Sequence, residues 1–210
     1  MRIPRLSAPL GLLLAALAVA LPAHATEYWT VKALLTDFFA TAAHVPYRVI
    51  TLGAADVAAI NQKLGGSLKK TTWTIRVAED KDQKRMGYAI LDDEIGLHEA
   101  IDYGVRFGLT GAVERVEIMT YREPYGDEVR SERFRKQFTG KTANDPIVAG
   151  RDIDIVSGAS YSSKALALGV KRDTLILQAA LKNGLLDGGS APKPPVHDGG
   201  SAPKPPSSGP

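Results

Sequence analysis

The sequence contains no cysteine among its 210 residues. Disulfides, thiolate metal sites, iron–sulfur clusters and covalently attached c-type haem are therefore excluded. Any folded part of the chain must gain its stability from a packed apolar core.

A run of apolar residues long enough to span a membrane is missing as well. The long run from Leu10 to Leu21 has twelve residues, fewer than the roughly 20 that a membrane-spanning helix needs. Arg2 and Arg5 precede this run, and Ala23-His24-Ala25 follows it as a small-x-small cleavage site. We therefore predict that residues 1–25 are a signal peptide and that the protein is exported to the periplasm or another extracytoplasmic space.

An excess of positive charge is also absent once that segment is removed. The chain has 26 Lys and Arg against 23 Asp and Glu, and removing Arg2 and Arg5 leaves 24 against 23. Balanced charge gives no reason to expect a nucleic acid or an anionic membrane surface as a partner.

The remaining chain divides into one domain and a tail. The segment DGGSAPKPP occurs at residues 187–195 and again at 198–206. Repeats rich in Pro, Gly and Ser are typical of disordered spacers, so residues 187–210 are predicted to be a disordered tail. Residues 26–186 have a normal length for one domain with a sizeable core.

Hydrophobic periodicity places helices at both ends of this domain and strands between them. Helical spacing marks residues 34–39, 54–64, 128–138 and 162–183, and extended patterns mark residues 73–78, 86–91, 103–109 and 112–121. This order predicts an α+β fold, a single domain in which helices flank an antiparallel meander of about four strands. We divide it into an N-terminal helical and strand part, residues 26–86, and a second part, residues 87–186.

Small hydroxyl residues are concentrated in DIVSGASYSS, residues 154–163, directly before the last predicted helix. A cap formed by Ser160 or Ser162 would account for one of them. Together with the small residues Gly158 and Ala159, the hydroxyls equally suit a phosphate bound at a helix N-terminus. From the residues alone, the cap and the anion site are equally good interpretations.

A serine hydrolase is a weaker hypothesis for the same segment. The stretch GASYS, residues 158–162, differs by one residue from the nucleophile elbow G-x-S-x-G. The only histidine after Ser160 is His197, which lies in the predicted tail. His44 and His98 come earlier in the chain, and nothing in the sequence places either of them beside Ser160.

Four segments, at residues 96–99, 117–129, 134–141 and 154–160, together resemble the FMN-binding domain, a family found in the flavin-carrying subunits of the sodium-pumping NADH:quinone reductase and of Rnf-type complexes. Residues 154–160 are similar to its flavinylation motif D-x-x-S/T-G-A-T/S. EIMTYREPYGDEV at residues 117–129 and FRKQFTGK at residues 134–141 resemble two further elements of the family. GLHE at residues 96–99 resembles an element of its stand-alone exported members. The resemblance covers roughly residues 87–181, and it makes residues 87–186 the expected FMN-binding domain.

This resemblance implies that FMN is joined to Ser160 through a phosphoester bond, made by a separate flavin transferase that uses FAD. Serine stands where threonine is commoner in the family, and its hydroxyl can form the same bond. By the same resemblance, Asp154 is expected to be recognised by the transferase, and Ser157, Gly158 and Ala159 are expected to shape the turn. Ser162 and Ser163 are expected to bind the phosphate or to cap the helix. Glu123 and Gly126 are expected to lie along the flavin ring. An ordinary strand-ending turn is an equally good interpretation of residues 122–126, and Tyr121 and Tyr125 are candidates for stacking on the ring.

The resulting hypothesis is an exported electron carrier with covalent FMN in the cell envelope, an electron-transfer flavoprotein rather than a stand-alone enzyme. Its expected partners are the flavin transferase and membrane or envelope redox proteins that serve as electron donor and acceptor, through which it would associate with the membrane. A non-redox flavin-binding module for sensing or assembly is the alternative hypothesis, and the serine hydrolase is the weaker one.

Overall fold

The computed structural model describes residues 25–187. The predicted signal peptide and the predicted C-terminal tail lie outside the described residues, apart from Ala25 and Asp187. Within residues 25–187, none of the helices combines the length and the apolar character that crossing a membrane would require.

The described residues form six strands, four α-helices and two short 3₁₀ helices. The strands are β1 (Thr26–Glu27), β2 (Tyr47–Thr51), β3 (Thr72–Glu79), β4 (Arg85–Ile95), β5 (Ala100–Phe107) and β6 (Val113–Tyr121). The α-helices are α1 (Val31–Phe38), α2 (Ala54–Leu64), α3 (Glu132–Arg135) and α4 (Ser160–Lys182), and the 3₁₀ helices are Asp127–Arg130 and Lys136–Phe138.

All six strands join one antiparallel sheet in the order β1-β6-β5-β4-β3-β2. The predicted meander corresponds to β3, β4, β5 and β6, while β2 and the two-residue β1 extend it at its two edges. The α+β prediction is confirmed. The edge strands were not predicted because both are too short for their alternation to stand out beside the neighbouring helices.

Helices cover both faces of the sheet, so the domain has three layers. In β4, Tyr88 and Ile90 belong to the main core, which α2 and α4 share. The intervening Ala89 faces the opposite side, where it packs in a smaller cluster with Leu34 and Phe38 of α1. Successive residues of a strand point to opposite faces, and this accounts for a continuous apolar run in a strand that is buried on both sides.

The prediction of a single helix over residues 128–138 is wrong. Ser131 has φ −56° and ψ 138°, an extended conformation that a helix cannot contain, and it divides the segment into short helical turns. Val129, Phe134 and Phe138 are nevertheless buried. The apolar residues of the pattern therefore mark the core correctly, although the backbone between them is not a continuous helix.

Charged side chains are buried where α4 crosses β4. Arg172 Nη2 lies 2.6 Å from Asp92 Oδ2, and Nη1 bonds Glu94. The neighbouring Asp173 is fully buried, and neither of its carboxyl oxygens has a hydrogen-bond partner of normal geometry among the described residues. Burial, reinforced by the charge of Asp92 and only partly offset by Arg172, raises the pKa of Asp173 well above its ordinary value. Burial therefore favours the protonated, neutral form of the Asp173 carboxyl group.

Replacing this acid tests its protonation state. Asp173→Asn should raise the free energy of unfolding at neutral pH by about 1 kcal/mol or more, because the neutral amide needs no proton uptake on folding and each unit by which the pKa of the acid is raised costs about 1.4 kcal/mol. The wild-type protein should lose stability as the pH rises above about 3.9, because the unfolded state then releases a proton that folded Asp173 retains. Denaturant unfolding at several pH values should show this downward slope in the wild type and a shallower one in Asp173→Asn. Identical slopes would mean that Asp173 is ionised in the folded protein.

Candidate functional site

Residues 154–159 form a turn that leads directly into α4. The Ala159 N–H donates to the Val156 carbonyl over 3.0 Å, and Gly158, the third residue of this turn, has φ +82°. A Cβ placed on Gly158 would meet nothing within 4 Å. The backbone conformation, which favours glycine, therefore explains this residue without any crowding inside the protein. Its outer side is open for a ligand.

The first turn of α4 has no side-chain cap. Ala159 is the N-cap residue, and the first helical hydrogen bond is donated by the Ser163 N–H to the Ala159 carbonyl over 2.9 Å. The interpretation in which Ser160 or Ser162 caps this helix is therefore wrong. Backbone N–H groups of the first three helical residues have no helical carbonyl to bond, and they form the positive end of the helix dipole.

The four serines of the motif differ in their exposure. Ser157 and Ser160 are exposed, whereas Ser162 and Ser163 have relative exposures of 2% and 0%. Ser163 Oγ donates to the carbonyl of Ala159 over 2.8 Å and accepts a backbone N–H of the preceding turn over 3.2 Å. Its hydroxyl is thus used to hold the turn against the helix.

Ser162 is joined to the segment after β6. Tyr121 Oη donates to the Tyr125 carbonyl over 2.7 Å and lies 2.8 Å from Ser162 Oγ. A carbonyl cannot donate, so the Tyr121 proton goes to Tyr125 and the Ser162 hydroxyl donates to Tyr121. Burial raises the pKa of Tyr121 and keeps its hydroxyl protonated. Since Tyr121 is buried, Tyr125, whose side chain is 82% exposed, is the better candidate for stacking on a ring.

Gly126 brings the turn at residues 122–126 into contact with the start of α4. It has φ +94°, and an added Cβ would lie 2.6 Å from Tyr121 Oη, 3.1 Å from Ser162 Oγ and 3.6 Å from Ala159 Cα. Both the conformation and the space therefore require glycine. Because β6 ends at Tyr121, residues 122–126 do form a strand-ending turn, and that turn also lies against the flavin motif.

Glu123 joins the same turn to the loop between β4 and β5. Its Oε1 accepts the backbone N–H groups of Leu97, His98 and Glu99 over 2.5, 2.9 and 3.2 Å. A Cβ on Gly96 would lie 2.5 Å from this oxygen, so glycine is needed here for the carboxylate to approach. The GLHE element thus lies next to the predicted site.

Asp154, the first residue of the motif, is exposed at the other end of the turn. Its backbone N–H donates to Gln137 Oε1 over 2.7 Å. Gln137 belongs to the FRKQFTGK segment, so each segment of the resemblance is bonded to another one of them. The contact of Gln137 was not predictable, because a polar residue beside the core residue Phe138 carries no local signal of a long-range contact.

The start of α4 presents hydrogen-bond donors that suit an anion. No acidic residue occupies the first turn of α4, and the free N–H groups and the exposed Ser160 hydroxyl are all donors. The described residues contain no group of three or more His, Asp or Glu side chains arranged to hold a metal ion. Neither His44 nor His98 is hydrogen-bonded to Ser160 among the described residues, 25–187.

Fold and geometry together define a domain with an uncapped helix N-terminus, an exposed serine at that terminus and two turns near it. Residues 96–173 match the family model of the FMN-binding domain. This match includes all of the predicted site residues, and it confirms the resemblance drawn from the motifs. The donor set fits the phosphate of FMN, which needs N–H and hydroxyl donors.

A solved structure is also similar to this chain. The crystal structure of NqrC from Shewanella oneidensis aligns with 15% sequence identity and a TM-score of 0.47, covering 69% of this chain and 87% of the NqrC chain. A search of curated proteins found no match.

The hydrogen-bonding role of Tyr121 can be tested by removing its hydroxyl. Tyr121→Phe should lower the free energy of unfolding by about 1–3 kcal/mol, because the Tyr125 carbonyl and the Ser162 hydroxyl lose their partner. Tyr125→Phe is the matched control, since its exposed side chain should change stability by less than about 0.5 kcal/mol. Denaturant unfolding measures both variants, and equal effects would contradict the role assigned to Tyr121.

Proposed function

We propose that this protein carries FMN covalently bound to Ser160 and transfers electrons outside the cytoplasm. The observation that supports the attachment point best is the difference among the four serines. Ser162 and Ser163 are buried and hydrogen-bonded, whereas Ser160 is exposed and is the first residue of the uncapped helix. A phosphate esterified to its hydroxyl would meet the free N–H groups of that helix end.

Several described residues would hold the cofactor. The N–H groups at the start of α4 and the exposed hydroxyl of Ser157 would bind the phosphate oxygens. The turn containing Glu123 and Gly126 and the exposed ring of Tyr125 would face the flavin ring. Asp154 is exposed and fixed through its backbone, which suits a residue that a flavin transferase must reach.

Attachment requires a second protein and FAD as the flavin donor. The Ser160 oxygen forms a bond to the phosphorus on the FMN side of FAD, and the bond between the two phosphates breaks. AMP leaves with the bridging oxygen, and the serine proton passes to a base of the transferase or to water. The positive helix end stabilises the negative charge that remains on the esterified phosphate.

Bound FMN would supply one-electron and two-electron chemistry, while the chain orients the ring and sets its surroundings. A covalent bond suits an exported protein, because a dissociable cofactor would be lost by mass action where free FMN is scarce. Membrane or envelope redox proteins would act as donor and acceptor. The protein would then be a carrier between them.

Replacing the exposed serines one at a time tests the attachment point. Wild-type protein produced with a flavin transferase should keep a mass increment of one FMN minus one water after denaturation. Ser160→Ala should lack this increment and remain folded, whereas Ser157→Ala, the matched control from the same turn, should keep it. Intact-mass measurement and peptide mapping decide the result, and flavin on any other residue would refute the assignment of Ser160.

The redox role needs a separate measurement. Reduced membranes from the native host should bleach the flavin absorbance of the loaded wild-type protein, and an oxidant should restore it. Free FMN in the same assay controls for reduction without recognition. A covalently loaded protein whose flavin is reduced no faster than free FMN would favour the non-redox alternative.

A further inference from the structure

Glu123 is the best-placed side chain near the site whose role the attachment of FMN leaves unexplained. We propose that Glu123 is a positioning residue that clamps the loop Gly96–Glu99 to the turn at residues 122–126 and thereby fixes the position of the flavin ring. The clamp itself is a property of this chain alone. Its effect on the ring rests on the proposed function.

The geometry of Glu123 is that of an anion held by a loop. Three successive backbone N–H groups, those of Leu97, His98 and Glu99, converge on one carboxylate oxygen. Consecutive N–H groups that point to one place form an anion-binding concavity, and hydrogen bonds to a charged acceptor are stronger than those to a neutral one. The bound anion here is part of the protein, so the loop is held closed without a ligand.

Gly96 shows how closely the carboxylate and the loop fit. Its N–H donates to the Glu99 carbonyl over 2.9 Å, which closes the loop. An added Cβ would lie 2.5 Å from Glu123 Oε1 and 3.2 Å from Ile101 Cδ1, and the first of these distances is too short for any real contact. A side chain at residue 96 must therefore displace the carboxylate. Substituting Gly96 is therefore a second way to disturb the contact between Glu123 and the loop.

The opposite end of the turn is held independently. Tyr121 bonds both the Tyr125 carbonyl and Ser162 of α4, and Gly126 packs on Ala159. The turn at residues 122–126 is thus fixed to the loop by Glu123 and to the attachment helix by Tyr121. Oε1 of Glu123 already accepts three hydrogen bonds from the loop. It therefore influences a flavin ring beside the turn indirectly, by fixing the position of the backbone.

Glu123→Ala and Gly96→Ala test the clamp in two ways, because the first removes the carboxylate and the second displaces it. In flavin-free protein, both should lower the hydrogen-exchange protection of the amides of residues 97–99 by about tenfold or more, the value of a charge-assisted bond. In loaded protein, both should reduce the visible circular dichroism that a fixed flavin ring shows. Glu123→Gln should largely restore both signals, because its amide oxygen can still accept.

Gly66→Ala is the matched control for Gly96→Ala. Residue 66 has ordinary φ, and a Cβ there would meet nothing within 4 Å, so neither signal should change. Unchanged protection in Glu123→Ala would overturn the clamp. Lost protection with unchanged circular dichroism would overturn its effect on the ring. A wild-type protein that takes up no flavin would refute both the proposed function and the effect of Glu123 on the flavin ring. Hydrogen exchange would still test the contact between Glu123 and the loop.

Discussion

Helix α4 lies across the sheet with Leu166, Val170 and Leu177 fully buried, and this packing determines where the first turn of the helix stands. Burial of three such side chains stabilises the position by several kcal/mol, on the order of 2 kcal/mol for each. The helix cannot shift or rotate without exposing them. The helix end is therefore fixed in place. The turn after β6 packs against it through Tyr121, and the loop after β4 is bonded to that turn through Glu123.

The same packing determines which serines of the motif are buried and which are exposed. Rotation by about 100° per residue turns Ser162 and Ser163 toward the core and leaves Ser160 toward solvent. The buried hydroxyls bond Tyr121 and Ala159, so they hold the turn without remaining free for a ligand. A cluster of like residues in the sequence thus separates into buried serines that hold the turn and an exposed serine at the uncapped helix end.

Much of the fold was predictable because its elements have strong local patterns. The extended stretches at β3, β4, β5 and β6 and the helices α1, α2 and α4 all follow from periodicity and from their end signals. Gly65, for example, ends α2 in the left-handed conformation, with φ +67°. The helix expected over residues 128–138 was wrong because spacing reports which residues are buried and does not report the backbone conformation of Ser131 between them.

The sequence by itself determined the α+β class, the core-facing residues and the segment that contains the candidate site, since these depend on local periodicity and on short motifs. Only the tertiary structure decided which serines are accessible, that Ala159 rather than a serine is the N-cap residue, and that Glu123 bonds the loop at residues 96–99. Those contacts join residues that are far apart in the chain. Their geometry depends on how α4 packs on the sheet, and no local pattern encodes it.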